Sequence, residues 1–375
     1  MRVLVTGGAG FIGSHIVDAL VARKHRVIVL DSLHPQIHPT GRRPAYLSAK
    51  AGFVRGDVRT RRILADLIPR VDAVIHQAAR VGVGQSMYEI NEYVDANTRG
   101  TALLLDVLTS VRNRVKKLLI ASSMSIYGEG SYRCPSCGPV QVRDRREEDL
   151  KRRRFEPYCS RHRKILRWER TPETKSIVPT SIYASTKRDQ EEMCLMIGRA
   201  YGIPTVAIRY FNVYGPRQAL SNPYTGVLAI FGSRLLNDNP PLIFEDGGQA
   251  RDFVHVRDIA AANLAALERA GADGCAVNCG TGRPVTVRQV AEDLARAMVK
   301  SIRPVLLGDF RVGDIRHCIA DNREIRRRLG WTPRISWSNG LAEYAAYLRT
   351  QTAVDRVDNA IRELEQRRLR RKSSR

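Results

Sequence analysis

Three glycines set directly behind the first apolar run restrict this chain more than any other feature of its sequence. Arg2-Val3-Leu4-Val5 is followed at once by Thr6-Gly7-Gly8-Ala9-Gly10-Phe11-Ile12-Gly13. On a strand-to-helix turn, Gly7 permits the tight bend, Gly10 lets a pyrophosphate approach bare backbone, and Gly13 lets the helix pack closely on the strand. Phe11 and Ile12 open that helix, whose unpaired N–H groups and positive dipole end suit phosphate. A glycine pattern alone is common. Here a strand precedes it, a helix follows it, and an acid closes the second apolar run in Val29-Leu30-Asp31. A carboxylate at Asp31 would accept hydrogen bonds from ribose hydroxyls and repel a 2′-phosphate, which favours NAD over NADP. Gly56-Asp57-Val58 and His76-Gln77-Ala78-Ala79 follow the third and fourth apolar runs, so Asp57, Val58, Ala78 and Ala79 are expected beside adenine and ribose.

The first 120 residues alternate β-branched runs with amphipathic stretches, the pattern of a parallel sheet covered by helices. Strands are predicted near 2–6, 26–30, 52–55, 72–76 and 116–121, and helices near 11–23, 60–68 and 92–112. A helix over 183–201 and a strand over 204–209 follow an irregular stretch rich in Arg, Pro, Cys and Gly. Beyond a loop at 212–225, helices are predicted over 226–237, 257–270, 286–298, 322–329 and 338–349, with a short strand near 241–244. The fold class is α/β. Residues 1–209 read as a Rossmann-type doubly wound parallel sheet, carrying an inserted Cys-rich, zinc-knuckle-like loop at about 130–178. Residues 210–350 read mainly as a smaller C-terminal α/β substrate domain, some of whose segments return to the first, and 351–375 as a basic, helical tail. A chain of 375 residues that is 43% hydrophobic can bury cores of this size.

Tyr183 and Lys187 stand four apart in Ser181-Ile182-Tyr183-Ala184-Ser185-Thr186-Lys187, so one helix face carries both. A neighbouring ammonium favours the phenolate and is expected to draw the tyrosine down from its ordinary value of about 10. Lys187 can also hold the nicotinamide ribose. Tyr-x-x-x-Lys arises often by chance on exposed helices, but a strand ending in Ala121-Ser122-Ser123 supplies a hydroxyl for the same ring.

Together with Arg209-Tyr210-Phe211-Asn212-Val213-Tyr214-Gly215-Pro216, these features make residues 1–350 resemble the extended short-chain dehydrogenase/reductases that act as nucleotide-sugar epimerases and dehydratases. The resemblance implies that Tyr183 is the acid/base, that Ser123 (four before Tyr127) orients the sugar hydroxyl, and that Lys187 assists. It further implies that Asn212 and the segment Arg251-Asp252-Phe253-Val254-His255 contact a nucleotide-diphosphate sugar, and that Arg311 clamps the diphosphate. A guanidinium suits that bidentate task; the plainer alternative for Arg251 and Arg311 is an ordinary surface ion pair. A homodimer formed through helices 92–112 and 183–201 is a further implication.

Three reactions on such a scaffold begin alike, with Tyr183 taking the C4 hydroxyl proton while hydride leaves C4 for NAD. Dehydratases of the family carry Asp-Glu right after the Ser/Thr, and related decarboxylases place Glu at the second of those positions. This chain has Met124 and Ser125, neither a useful general acid near neutral pH. The expectation is a 4-epimerase, in which the keto sugar swings about its diphosphate linkage and takes the hydride back on its other face. A C4 dehydrogenase or reductase, consuming cofactor stoichiometrically, is the runner-up.

Seven cysteines do not make a disulfide framework in a chain that reads as cytoplasmic. Cys194, Cys275, Cys279 and Cys318 read as small buried hydrophobes, whereas Cys134-Pro135-Ser136-Cys137-Gly138 is a knuckle sequence. Cys159-Ser160-Arg161-His162 repeats its internal spacing, so Cys134, Cys137, Cys159 and His162 form a candidate structural zinc set that would pin a loop too polar for its own core. Free thiols or a redox pair are the alternatives. An insertion between Ser123 and Tyr183 resembles a subgroup that includes dTDP-L-rhamnose 4-epimerases, in which the second knuckle more often carries Cys than His162. The substrate pair this suggests is dTDP-L-rhamnose and dTDP-6-deoxy-L-talose.

The net charge of +24 prompts a rival from another class, a non-catalytic nucleotide sensor or nucleic-acid-binding protein on the same fold. No nucleic-acid module appears, and the Ser, Tyr and Lys set is kept, so an Arg-rich solvated surface is the preferred reading. No apolar run approaches the roughly 20 residues of a membrane span. The first strand begins at once, leaving no room for a cleavable signal.

Overall fold

Val3, Leu4 and Val5 are fully buried because their strand lies inside a sheet covered on both faces. In the computed structural model, which describes residues 1–373, seven parallel strands form that sheet. Numbered within it, they are β1 (Arg2–Thr6), β2 (Arg26–Asp31), β3 (Gly52–Arg55), β4 (Ala73–His76), β5 (Leu118–Ser123), β6 (Thr205–Tyr210) and β7 (Cys275–Cys279). Their order is β7-β6-β5-β4-β1-β2-β3, with Val3 opposite both Val27 and Ala73. Strand order reverses between β1 and β4, and a doubly wound sheet takes its ligand in the crevice at that switch point.

Alternation along β1 sorts the core into two layers. Val3 and Val5 join Ile16, Val29, Ile75 and Ile259 on one face, under helices Phe11–Ala22 and Val256–Glu268. Leu4 joins Leu64, Leu104, Leu118 and Cys194 on the other, under helices Arg61–Leu67, Gly100–Ser110 and Ile182–Ala200. A separate cluster containing Leu228, Phe231, Leu294 and Tyr344 lies among helices Val227–Leu236, Val287–Ala297 and Trp337–Leu348. The strand Ala250–His255 pairs there with Asn212–Tyr214 and Pro284–Thr286, while β7 returns from this later part of the chain to the main sheet. The stretch expected as loop at 212–225 therefore begins with a strand.

Two predicted elements differ. The helix expected over 92–112 is a short turn Ile90–Tyr93, a π-helical stretch Val94–Arg99 and an α-helix Gly100–Ser110. The wider turn brings buried Asn97 inward, where Oδ1 accepts from the Arg80 N–H at 2.7 Å and Nδ2 donates to Thr186 Oγ1 at 3.0 Å. Helical periodicity could not reveal this, because the cause is a partner in another helix. The tail expected at 351–375 is docked as the helix Val357–Gln366 and a strand Arg370–Arg371 antiparallel to Phe310–Arg311, while Ser374 and Arg375 lie outside the described residues.

The Cys-rich insertion is built on a three-stranded antiparallel sheet, with Ser131–Cys134 between Gly138–Val140 and Arg167–Glu169. Its apolar cluster is small: Tyr132, Cys134, Val142, Cys159 and Leu166. Among the described residues no helix is long and apolar enough to cross a membrane.

Candidate active site

The glycine loop has the geometry its spacing predicts. Gly7 sits at φ +67°, and a Cβ there would stand 2.7 Å from the Ala78 nitrogen. A Cβ on Gly13 would fall 2.2 Å from the Gly7 oxygen, so the helix reaches its strand only because that side chain is missing. Asp31 Oδ2 accepts from the Ala9 N–H at 3.0 Å and Oδ1 from Leu33 N–H at 2.9 Å, so the carboxylate also fastens the loop. Burial works against Asp57, but bonds from the Arg59 side chain and N–H hold its carboxyl below the usual range.

A cavity of about 660 Å³ is lined by all the residues expected to hold cofactor, namely Gly7, Gly10, Phe11, Ile12, Gly13, Asp31, Asp57, Val58, Ala78 and Ala79. The same cavity is lined by Ser123, Tyr183, Lys187, Asn212, Arg251 and Arg311. The fold brings together residues spread over three hundred positions: Asp31 and Ser123 end strands of the main sheet, Gly7, Gly10, Asp57, Ala78 and Ala79 lie in loops beyond such strands, and Tyr183 and Lys187 project from the first turns of the helix Ile182–Ala200. The cavity fits a dinucleotide at the bare backbone of Gly10, where an added Cβ would meet only the Gly7 oxygen, at 3.3 Å.

The helix Ile182–Ala200, which carries Tyr183 and Lys187, begins at Ser181, whose Oγ caps the Ala184 N–H at 3.1 Å. Ser86 Oγ accepts from the Tyr183 N–H at 3.0 Å, fixing the first turn. The expected depression of Tyr183 by Lys187 is corrected by the structure. Burial pushes the phenol up, and a hydrogen bond with Ser123 opposes this in part. Lys187 turns its ammonium to Gln190 Oε1, at 2.7 Å, and burial brings it down to about 8. Gln190 Nε2 donates to Thr101 Oγ1 at 2.6 Å, and Thr101 meets His76, which burial and Lys187 keep neutral at about 3. Sequence reasoning missed Gln190, three residues past Lys187 on the same helix face.

Asn212 Oδ1, Gln218 Oε1 and Gln249 Oε1 are buried without a hydrogen-bond partner among the described residues, and all three residues line the cavity. Unsatisfied amide oxygens at a cavity wall suit a polyhydroxylated ligand. Arg251 and Arg311 do form an ion-pair cluster, with Asp314 at 3.2 and 2.7 Å, and both still line the cavity. Burial pushes the Asp314 carboxyl up, but the two guanidinium groups overcome it and hold it at about 2. Arg311 also lies over the Phe244 ring. Elsewhere in the 251–255 segment only Phe253 lines the cavity. Asp252 accepts from Thr281, Gly282 and Ala320, and His255 caps the helix Val256–Glu268, so these two are structural.

Cys134, Cys137, Cys159 and His162 converge, with one ligand atom from each lying within 4.8 Å of all the others. Cys137 Sγ to Cys159 Sγ is 3.7 Å, and His162 Nδ1 stands 3.6 and 3.9 Å from Cys159 and Cys134 Sγ. Zinc bonds of about 2.3 Å to sulfur and 2.0 Å to nitrogen require tetrahedral edges of roughly 3.5–3.8 Å, so the set fits. The N–H groups of Ser136 and His162 point at Cys134 and Cys159 Sγ, both at 3.4 Å, as thiolate ligands require.

The insertion also sends Arg145 toward the Arg251–Arg311–Asp314 cluster, which sequence reasoning missed. Its side chain is 4% exposed and pairs with Glu129 at 3.2 Å and Glu245 at 2.7 Å, while Nη2 donates to the Asp314 carbonyl at 2.8 Å.

Residues 3–280 match the model of the NAD dependent epimerase/dehydratase family. A dTDP-L-rhamnose 4-epimerase of Burkholderia thailandensis is 35% identical over 352 residues, covering 92% of this chain and 94% of that protein. Among solved structures, a UDP-glucose 4-epimerase with UDP-glucose from Thermotoga maritima is 33% identical with a TM-score of 0.75, covering 93% of this chain and 99% of that one. A Thermus thermophilus UDP-glucose 4-epimerase in complex with NAD is 31% identical with a TM-score of 0.74, covering 94% and 100%.

Proposed function

Since this chain belongs to the NAD-dependent epimerase/dehydratase family, we propose that it inverts C4 of a nucleotide-diphosphate 6-deoxyhexose, interconverting dTDP-L-rhamnose and dTDP-6-deoxy-L-talose. The observation that carries the reaction type is the strand end at Ser123. Ser123 and Tyr183 line the same cavity, and the next two residues after Ser123 are Met124 and Ser125, whose Oγ lies 2.6 Å from Ser123 Oγ. That arrangement can move one proton, at the Tyr183 hydroxyl, but offers no second acid/base at the position where elimination would need it.

NAD, held by the glycine loop and Asp31, supplies the hydride acceptor at C4 and the donor that restores it. Tyr183 takes the C4 hydroxyl proton and later gives it back, with Ser123 orienting the oxygen. Lys187, a cation below pH about 8, supports the phenolate electrostatically once its ammonium turns from Gln190. Arg251 and Arg311 hold the diphosphate while the sugar turns, and Asn212, Gln218 and Gln249 have oxygens to spare for sugar or base. The dTDP-L-rhamnose assignment is supported by the Burkholderia relative alone.

The four-ligand knuckle is proposed to bind one structural zinc; metal analysis of purified protein finding no stoichiometric zinc removes this element. A homodimer through the helices near 90–110 and 182–200 is supported by exposed Ile90, Val94 and Met196 on those segments.

The test is incubation with dTDP- and UDP-sugars, with NADH absorbance followed alongside product stereochemistry. Epimerisation gives C4-inverted product with no net NADH. Stoichiometric NADH formation would instead identify a C4 dehydrogenase.

A further inference from the structure

The helix Val357–Gln366 carries Val357, Ala360, Ile361 and Leu364 at i, i+3, i+4 and i+7, a single apolar face. Each is 6–9% exposed, yet among the described residues none joins any of the apolar core clusters. All four line the main cavity instead. Their stripe is buried against the cavity that Ser123 and Tyr183 also line.

This part of the cavity adjoins the segment that supports the first turn of the Tyr183 helix. Leu364 Cδ2 would stand 3.6 Å from a Cβ placed on Gly84, in the short helix Val83–Ser86 whose last residue holds the Tyr183 N–H. Val81 and Val83, exposed large hydrophobic residues, line the same cavity. Polar neighbours here are already satisfied. Arg80 pairs with Glu89 at 2.6 Å and Glu92 at 3.4 Å and lies over the Tyr93 ring. Gln36 Nε2 donates to Gln85 and Asn222.

The helix is also fixed in place. Glu363 accepts hydrogen bonds from Tyr88 at 3.0 Å and Tyr224 at 2.6 Å, and Arg367 stacks on the Tyr88 ring. Asp355 and Asp358 meet Arg234, and the strand that follows the helix pairs beside Arg311.

We infer that Val357, Ala360, Ile361 and Leu364 are the specificity wall of the sugar subsite, selecting a sugar that ends in a methyl over one ending in a hydroxymethyl or carboxylate. This rests on the 4-epimerase reading. A methyl seats against the wall without loss, a hydroxyl there forfeits its water, and a carboxylate would be desolvated beside an Arg80 already paired with Glu89 and Glu92. Apolar pockets discriminate by roughly ten- to a hundred-fold on such differences.

The experiment compares three sugars on one nucleotide (6-deoxyhexose, hexose and hexuronate) by kcat/KM and by calorimetric binding, in wild type and in Ile361→Thr, Leu364→Asn and the milder Ala360→Ser. Wild type is expected to favour the deoxy sugar at least tenfold by both measures, and the variants to lose most of that preference while still binding NAD. Equal affinity of wild type for deoxy and hydroxylated sugars, or an unchanged ratio in NAD-binding variants, overturns the wall. Selective binding without any turnover would instead overturn the epimerase reading and leave the wall standing.

Discussion

The dinucleotide cleft and the cysteine insertion are both polar sites, yet they hold their shapes by different physics. The cleft stands on the edge of a seven-stranded sheet with apolar layers on both faces, so Gly7, Asp31 and Ser123 are positioned by burial far from themselves. The insertion has a three-stranded sheet and an apolar cluster of five buried residues, two of them cysteines of the knuckle, with Leu150 and Phe155 packed separately against Phe310. A ligand site backed by a large core is preorganised; a site backed by almost none depends on its own cross-links. The insertion obtains these in two ways, through the four convergent ligands and through Arg145, which anchors it to Glu245 and to the backbone of Asp314.

The sharpest way to break this contrast is at the cleft. Tyr183→Phe removes a hydroxyl without disturbing the scaffold, and turnover is expected to fall by roughly 10²–10⁴ while NAD affinity stays at the wild-type level. Retained epimerisation in a single-turnover assay, or lost NAD binding, would mean that this residue does not divide chemistry from scaffold as described.

Arg145→Ala sharpens the comparison from the other side. It strips a partner from Glu129 and Glu245, which are 2% and 0% exposed, and a loss of about 3 kcal/mol is expected from stranding buried charge. Because the hook joins two regions, the whole unfolding transition should move in a denaturant titration. Melting of the insertion alone, seen as protease cleavage within 130–178 while the rest stays folded, would show that the cysteine knuckle is a separate unit.

The smallest effect concerns Lys187. Burial lowers its pKa from 10.5 to about 8, so between those values the unfolded chain binds more protons and stability rises with pH. Lys187→Met lacks that rise. The unfolding free energy of wild type relative to the variant is expected to improve by roughly 2 kcal/mol from pH 7 to pH 10 in the cofactor-free protein. A pH-independent difference would place the ammonium in water rather than beside Gln190.

Much of the cleft was readable because its signals are local. The glycines, Asp31 and the Tyr183–Lys187 pair each depend on neighbours within one turn or one strand, and spacing alone constrains them. The knuckle was readable for the same reason, as two repeats of one short spacing. Asn97 was not, since its inward turn exists only to reach Arg80 and Thr186. Nor was the role of 357–364. The apolar spacing is present in the chain, but basic neighbours such as Arg362 and Arg367 masked it, and no periodicity says which surface a stripe will face.

The order of residues thus determined the class of sheet, the phosphate turn, the Tyr183–Lys187 pair on one helix face and the four metal-ligand candidates, because short-range geometry leaves few alternatives for such patterns. Tertiary structure alone decided that burial raises rather than lowers Tyr183, that Lys187 faces Gln190, and that the last helix walls the cavity. Those outcomes depend on desolvation and on contacts between segments hundreds of residues apart, quantities that no local pattern encodes.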